Sequence, residues 1–202
     1  MIQFENTGVV ILAAGASVRL GQAKQLIEFQ GRPLLEYVID QFEEIAITTR
    51  ILVLGAFADL IQESVITGKF DMVINENWQE GMASTIRKGL ESALSKDDKL
   101  EHILFVLSDQ PFVTKALFEK LLQMHTGGNK AITACKYQNV MGAPAVFSKS
   151  LFPELLSLQG TLGAGSLIKR YPDQVAVFPF EQGAIDIDTP EDLDTLNERN
   201  LN

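Results

Sequence analysis

Between Leu12 and Lys24 the chain reads Leu-Ala-Ala-Gly-Ala-Ser-Val-Arg-Leu-Gly-Gln-Ala-Lys. Small residues let a backbone approach a ligand closely, and its N–H groups can then serve phosphate oxygens. Arg19 offers a planar, two-pronged donor and Lys24 a mobile point charge. No acid lies between Gly8 and Ile27, so the stretch suits a polyphosphate. It is not a Walker A loop, because no Gly-Lys-Ser/Thr follows the glycine. It is not the dinucleotide fingerprint either, because Gly-x-Gly-x-x-Gly is absent.

Acids stand at two further places. Ser108-Asp109-Gln110-Pro111 follows the strongest apolar run of the chain. A carboxylate there suits a hard cation such as Mg²⁺, which takes one or two carboxylates plus substrate phosphates; the plainer reading is a turn before Pro111. In Asp186-Ile187-Asp188-Thr189-Pro190, extension puts Asp186 and Asp188 on one side. Thr189 and Pro190 carry a helix-start signal that does not require Asp188. Gly81 to Thr85 offers small polar groups and amides at a helix start, or simply an N-cap. Trp78 and Tyr137 read as packing residues. Cys135, the one cysteine, sits in the run Ala131-Ile132-Thr133-Ala134-Cys135, as a small core residue does. A single thiol excludes an internal disulfide and fits a reducing compartment. His102 and His125 share no ligand spacing, so they are expected at the surface or an edge, without zinc.

The elements that must position these groups follow from periodicity. Val9–Leu12, Ile51–Leu54 and Ile103–Leu107 are continuous apolar runs, with weaker ones at 72–74, 145–147 and 175–178. Continuous runs predict strands covered on both faces. Helical spacing appears in Leu34, Leu35, Val38, Ile39 and Phe42, with Pro33 in the first turn. It recurs from Met82 to Leu94, from Leu117 to Leu122 after the N-cap Thr114, and from Leu151 to Leu156. The alternation predicts an α/β fold, a mostly parallel twisted sheet with helices on both faces. Such sheets bind ligands beyond the carboxyl ends of their strands. One domain, residues 1–202, is expected, with the less regular stretch at about 137–170 as a subdomain or flap.

Lys plus Arg is 17 and Asp plus Glu is 26, a net charge of −9. Residues 181–202 alone carry −6. The acidic balance argues against a nucleic-acid binder, which needs excess bases. No apolar run approaches the roughly 20 residues of a membrane helix. Met1-Ile2-Gln3-Phe4-Glu5 lacks a basic start and an apolar core, so a cytoplasmic location is expected.

The pattern Leu-Ala-Ala-Gly-x-Ser-x-Arg-x-Gly-x-x-Lys closely resembles the signature loop of nucleotidyltransferases with the sugar-nucleotide-transferase type of Rossmann-like fold. Among them it is most similar to the molybdenum cofactor cytidylyl- and guanylyltransferases (MobA/MocA-like). The likeness continues at Lys24-Gln25-Leu26, Gly31-Arg32-Pro33-Leu34, Asn77 to Thr85, Ser108 to Pro111, Gly142-Ala143-Pro144 and Asp186 to Leu193, nearly the whole chain.

The resemblance implies that Leu12, Ala13, Ala14, Gly15, Arg19 and Lys24 hold a nucleoside triphosphate, with Gly81, Ser84 and Thr85 beside it. It implies that Asp109 binds Mg²⁺ bridging the phosphates, with Asp188 as a second ligand, and that Arg19, Lys24 and Asp109 carry catalysis. The Ala-Ala-Gly form favours CTP over GTP as donor. Molybdopterin is the implied acceptor, together with contact to a molybdoenzyme or its maturation factor. The chain departs from the cytidylyl pattern on the acceptor side. Gly160-Thr161-Leu162-Gly163-Ala164-Gly165 stands where Gly-Asp-x-Gly-Ala-Arg is usual, and Ala143 where His is usual. A sugar or polyol phosphate acceptor, or a non-catalytic nucleotide-binding role, are the alternatives.

Overall fold

The computed structural model describes residues 4–17 and 20–185. In chain order the elements are β1 (Thr7–Ala13), a short pair β2 (Glu28–Phe29) and β3 (Arg32–Pro33), α1 (Leu34–Asp40), β4 (Thr49–Leu54), α2 (Ala58–Ser64) and β5 (Asp71–Ile74). They continue with α3 (Met82–Lys96), β6 (His102–Leu107), α4 (Lys115–Thr126), β7 (Ile132–Tyr137), β8 (Val140–Ser148), α5 (Phe152–Leu156), α6 (Gly165–Arg170) and β9 (Val175–Pro179). Seven strands form one sheet in the order β5-β4-β1-β6-β8-β7-β9. β5, β4, β1 and β6 run parallel, and β7 and β9 are parallel to each other. β8 is antiparallel to both of its neighbours.

The continuous apolar runs are explained by two cores. In β1, Val9, Ile11 and Ala13 face a layer that holds Leu35, Ile39 and Phe42 of α1 and its end, and Phe118 and Leu121 of α4. Val10 and Leu12 face the opposite layer, with Ile86 and Leu90 of α3 and Leu155 of α5. The parallel register aligns Ile11 with Leu52 and with Val106, so the period-two alternation stays in phase across three strands. Thr114 caps α4 as predicted, its Oγ1 accepting from Leu117 N at 3.2 Å.

The predicted sheet is present, mostly parallel and flanked by helices on both sides. Several details differ. The strand candidate at 145–147 is present as part of β8, but residues 137–170 do not form a separate subdomain or flap: β8 lies inside the sheet between β6 and β7. Its antiparallel neighbours give it a buried half without a long apolar run. β7, α2 and α6 are too short or too mixed in composition to show by periodicity. β5 is apolar but forms an edge, with Met72 and Ile74 exposed. Pro33 ends β3 and precedes α1 rather than lying in its first turn.

The histidine expectation also needs correction. His125 is 3% exposed. Its Nδ1 pairs with Thr133 Oγ1 at 3.0 Å and its Nε2 with Ser148 Oγ at 3.1 Å. The His102 ring meets it edge-on at 4.9 Å. Partners on two other elements, Thr133 of β7 and Ser148 of β8, let the ring be buried. Burial, and His102 beside it, push its pKa down to about 4. Among the described residues no three His, Cys, Asp or Glu side chains come together as a metal site. No described helix is long and apolar enough to cross a membrane.

Candidate active site

Leu12 and Leu107 are paired in the β1–β6 register, so the loops that leave these two strands start side by side at the carboxyl edge of the sheet. The first loop is held from within. Gln25 is completely buried, and its Nε2 donates to Ala13 O at 2.9 Å and to Gly15 O at 3.4 Å. Ser17 Oγ accepts from Lys24 N at 3.3 Å, and Ser17 O accepts from the amides of Leu20 and Gly21. Leu20, Ile27, Phe29 and Leu34 form a small apolar cluster under the returning chain. Gly15 itself is exposed.

The same loop forms one wall of a cleft of about 230 Å³. Leu12, Ala14, Gly15 and Ala16 face Trp78, Gly81, Met82 and Thr85 across it. Two glycines allow the approach. A Cβ on Gly55 would lie 2.6 Å from Ala14 O and 2.8 Å from Trp78 Cβ. Gly81 has φ +121°, and a Cβ there would lie 2.7 Å from Gly160 O. Asn75 organises the far wall. Its Nδ2 donates to Ser84 Oγ at 2.9 Å and Thr85 Oγ1 at 3.2 Å, and its Oδ1 accepts from Asn77 N at 3.0 Å. Ser84 Oγ in turn donates toward Asn77 O and Gly81 O, both at 2.9 Å.

Lys24 opens a short 3-10 turn (Lys24–Leu26), and its ammonium forms an ion pair with Asp109 Oδ2. Asp109 is 8% exposed, and its Oδ1 is buried without a hydrogen-bond partner among the described residues. Gln110 beside it is buried and ties the loop to β8 and beyond, donating to Ala143 O and Gly183 O, each at 3.3 Å. A dry carboxylate oxygen left unspent is the donor a hard divalent cation prefers, so the residues present fit such an ion at Asp109.

The structure thus brings Leu12, Ala14, Gly15, Gly81 and Thr85 to one cleft, and Lys24 to Asp109. Ala13 turns its side chain into the α1 core and presents only its carbonyl, to Gln25. Ser84 is committed to the wall that shapes the cleft. Arg19 and Asp188 lie outside the described residues. Trp78, expected to pack, lines the cleft. Gln25 and Asn75 were not singled out in sequence. Asn75 follows the apolar run Met72-Val73-Ile74, and Gln25 stands in the motif Lys24-Gln25-Leu26; these are the local signs they carry.

Residues 9–175 match the MobA-like NTP transferase domain. The chain belongs to this family. As a MobA-like transferase domain it is 30% identical over 198 residues to nicotine blue oxidoreductase of Paenarthrobacter nicotinovorans, covering 94% of this chain and 92% of that one. Among solved structures it is similar to the Rv0371c homologue of Mycobacterium sp. strain JC1, with 28% identity, TM-score 0.81 and 98% of both chains covered. It is also similar to Rv0371c of Mycobacterium tuberculosis in complex with manganese, with 25% identity, TM-score 0.72, and 95% and 97% of the chains covered.

Proposed function

We propose that the protein transfers a nucleoside monophosphate, CMP in preference to GMP, from a nucleoside triphosphate to a phosphorylated small-molecule acceptor with release of pyrophosphate. The observation that carries this reading is the Lys24–Asp109 pair beside a glycine-bearing cleft at the carboxyl edge of the sheet. Family membership supports it.

In this reading an acceptor phosphate oxygen forms a bond to the α-phosphorus as the bond to the leaving pyrophosphate breaks. The nucleophile is already an anion, so no general base or covalent intermediate is required. That agrees with a Cys135 whose thiol burial pushes up to about 12. Lys24 and Arg19 hold the triphosphate and neutralise the charge of the leaving group. The Lys24 ammonium has three donors, so it can keep Asp109 while reaching a phosphate oxygen. Asp109, with Asp188, would hold Mg²⁺, which supplies charge neutralisation and alignment of the phosphates. The manganese in the Rv0371c complex supports a divalent ion. Gly15, Gly81 and Thr85 seat the nucleoside against Trp78. Molybdopterin is the acceptor the family likeness favours, and a sugar or polyol phosphate the alternative.

The test is a thermal-shift screen with CTP, GTP, ATP and UTP, each with and without Mg²⁺, since a bound ligand stabilises the native state by mass action. Stabilisation by CTP that needs Mg²⁺, followed by pyrophosphate release with a phosphorylated acceptor, is expected. No shift with any nucleotide would overturn the reading.

A second reading is favoured by the likeness to nicotine blue oxidoreductase over nearly the whole chain. On that reading the cleft binds a redox cofactor. Oxidation of a reduced nicotinamide cofactor in the presence of an aromatic electron acceptor, with no pyrophosphate release from any nucleotide, would select it.

A further inference from the structure

Beside the nucleotide cleft the sheet, α3 and α6 line a second, partly open cavity of about 130 Å³. Leu12, Phe105 and Phe147 of the sheet, Met82 and Ile86 of α3, and Gly163 are among its walls. None of its lining residues bears an ionisable or amide side chain. Leu12 and Met82 line both spaces, so the two lie side by side.

The loop that closes this slot is fixed in place. Gly160 N donates to Glu80 Oε1 at 3.0 Å, and Gly160 O accepts from Ala83 N at 3.1 Å. Arg87 bonds the Glu80 carboxylate through both terminal nitrogens and also donates to Leu158 O. Two glycines, Gly163 and Gly165, are among its lining residues. A Cβ at Gly163 would meet only Met82 Cγ at 3.5 Å, and one at Gly165 would meet nothing within 4 Å.

We propose that this slot receives an uncharged, flat, apolar group of about one ring on the acceptor, whose phosphate stays outside toward Asp109. The proposal rests on the nucleotidyl-transfer reading above. Apolar cavities of about 150 Å³ stay dry and take up a benzene-sized guest, and the slot is of that order. The slot argues against the molybdopterin that the family likeness favours, because a pterin ring is edged by donors and acceptors. Buried against Phe105, Phe147 and Ile86 these would go unpaired, which is penalised. The missing acid and base at Thr161 and Gly165 agree with a slot that has no polar group to recognise.

The test titrates the full chain, in the presence of CTP and Mg²⁺, with phenyl phosphate and with glycerol phosphate. Binding is followed on the Met82 methyl resonance. Nucleotide binding is followed separately by the fluorescence of Trp78, the one tryptophan. Phenyl phosphate is expected to bind roughly tenfold or more tighter than glycerol phosphate. Gly163→Leu should abolish that preference and Gly163→Ala should reduce it, with CTP binding unchanged. Equal affinity for the two phosphates, or a preference that survives Gly163→Leu in protein that binds CTP normally, would overturn the proposal. If CTP fails to bind the wild type while phenyl phosphate still shifts Met82 in a Gly163-dependent way, the slot stands and the nucleotidyl-transfer reading falls. Should Gly163→Leu misfold, Gly163→Ala decides, since its methyl meets ordinary contact distances.

Discussion

The Lys24 ammonium and the Asp109 carboxylate, 85 residues apart in the chain, form an ion pair where the loops after β1 and β6 meet. Their side chains are only 17% and 11% exposed. One carboxylate oxygen serves Lys24 and the other has no partner among the described residues. In the proposed reaction a triphosphate on Lys24 and a cation on Asp109 would each bring charge of the sign opposite to the group that holds it. The pair places the two charged groups that this reaction uses at one spot.

Replacing Asp109 by Asn keeps the shape and removes the charge. Metal-dependent pyrophosphate release should fall by about 100-fold or more, the usual scale for losing one preorganised electrostatic group. Lys24→Ala should do the same. Circular dichroism should remain native in both. A wild-type rate in either variant would remove the pair from the mechanism.

Gln25→Leu keeps the volume but leaves the Ala13 and Gly15 carbonyls without their donor. Leaving buried polar groups unpaired costs about 1–3 kcal/mol, which denaturant melts will show. The loosened first loop should weaken CTP binding, read by Trp78 fluorescence, by roughly tenfold. A variant that is less stable but binds CTP as well as wild type would confine Gln25 to a structural role.

The Glu80–Arg87–Gly160 staple joins α3 to the acceptor side. Two hydrogen bonds from Arg87 and one from the Gly160 amide hold the Glu80 carboxyl at about 2, so the staple persists at any ordinary pH. Arg87→Ala should raise the KM for the phosphorylated acceptor severalfold while the affinity for CTP stays put. A change in CTP affinity alone would place the staple on the nucleotide side.

His125 makes stability pH-dependent. Its folded pKa of about 4 lies below the ordinary 6.5. Between these values the unfolded chain binds the extra proton, so stability is full above about pH 6.5 and declines as pH falls toward 4. The loss from this group reaches about 3 kcal/mol at most. Urea melts across that range should show the slope, and His125→Gln should flatten it.

Cys135 is buried in β7 and its thiol is shifted up to about 12. Since the thiolate is the reactive form, a disulfide reagent at neutral pH should leave the native protein unmodified and label it fully in denaturant. Rapid labelling of the native state would contradict the burial.

Much of this molecule is written locally. The runs at Val9–Leu12, Ile51–Leu54 and Ile103–Leu107 mark the central strands because both faces of each are covered, and the small residues and bases from Leu12 to Lys24 mark the first loop. Asp109 follows a strand end, where ligands bind. None of this depends on distant partners. What only the tertiary structure decided depends on register and on contacts across the chain. β8 entered the middle of the sheet because β6 and β7 supply its hydrogen bonds. His125 became buried because Thr133 and Ser148 satisfy both of its nitrogens. Gln25 and Asn75 became the braces of the cleft because their partners belong to other segments. The apolar slot arises from the meeting of β1, β6, β8, α3 and α6, which the periodicity of no single segment reports. Local periodicity reports which face of an element is apolar; which elements share that face is set by packing.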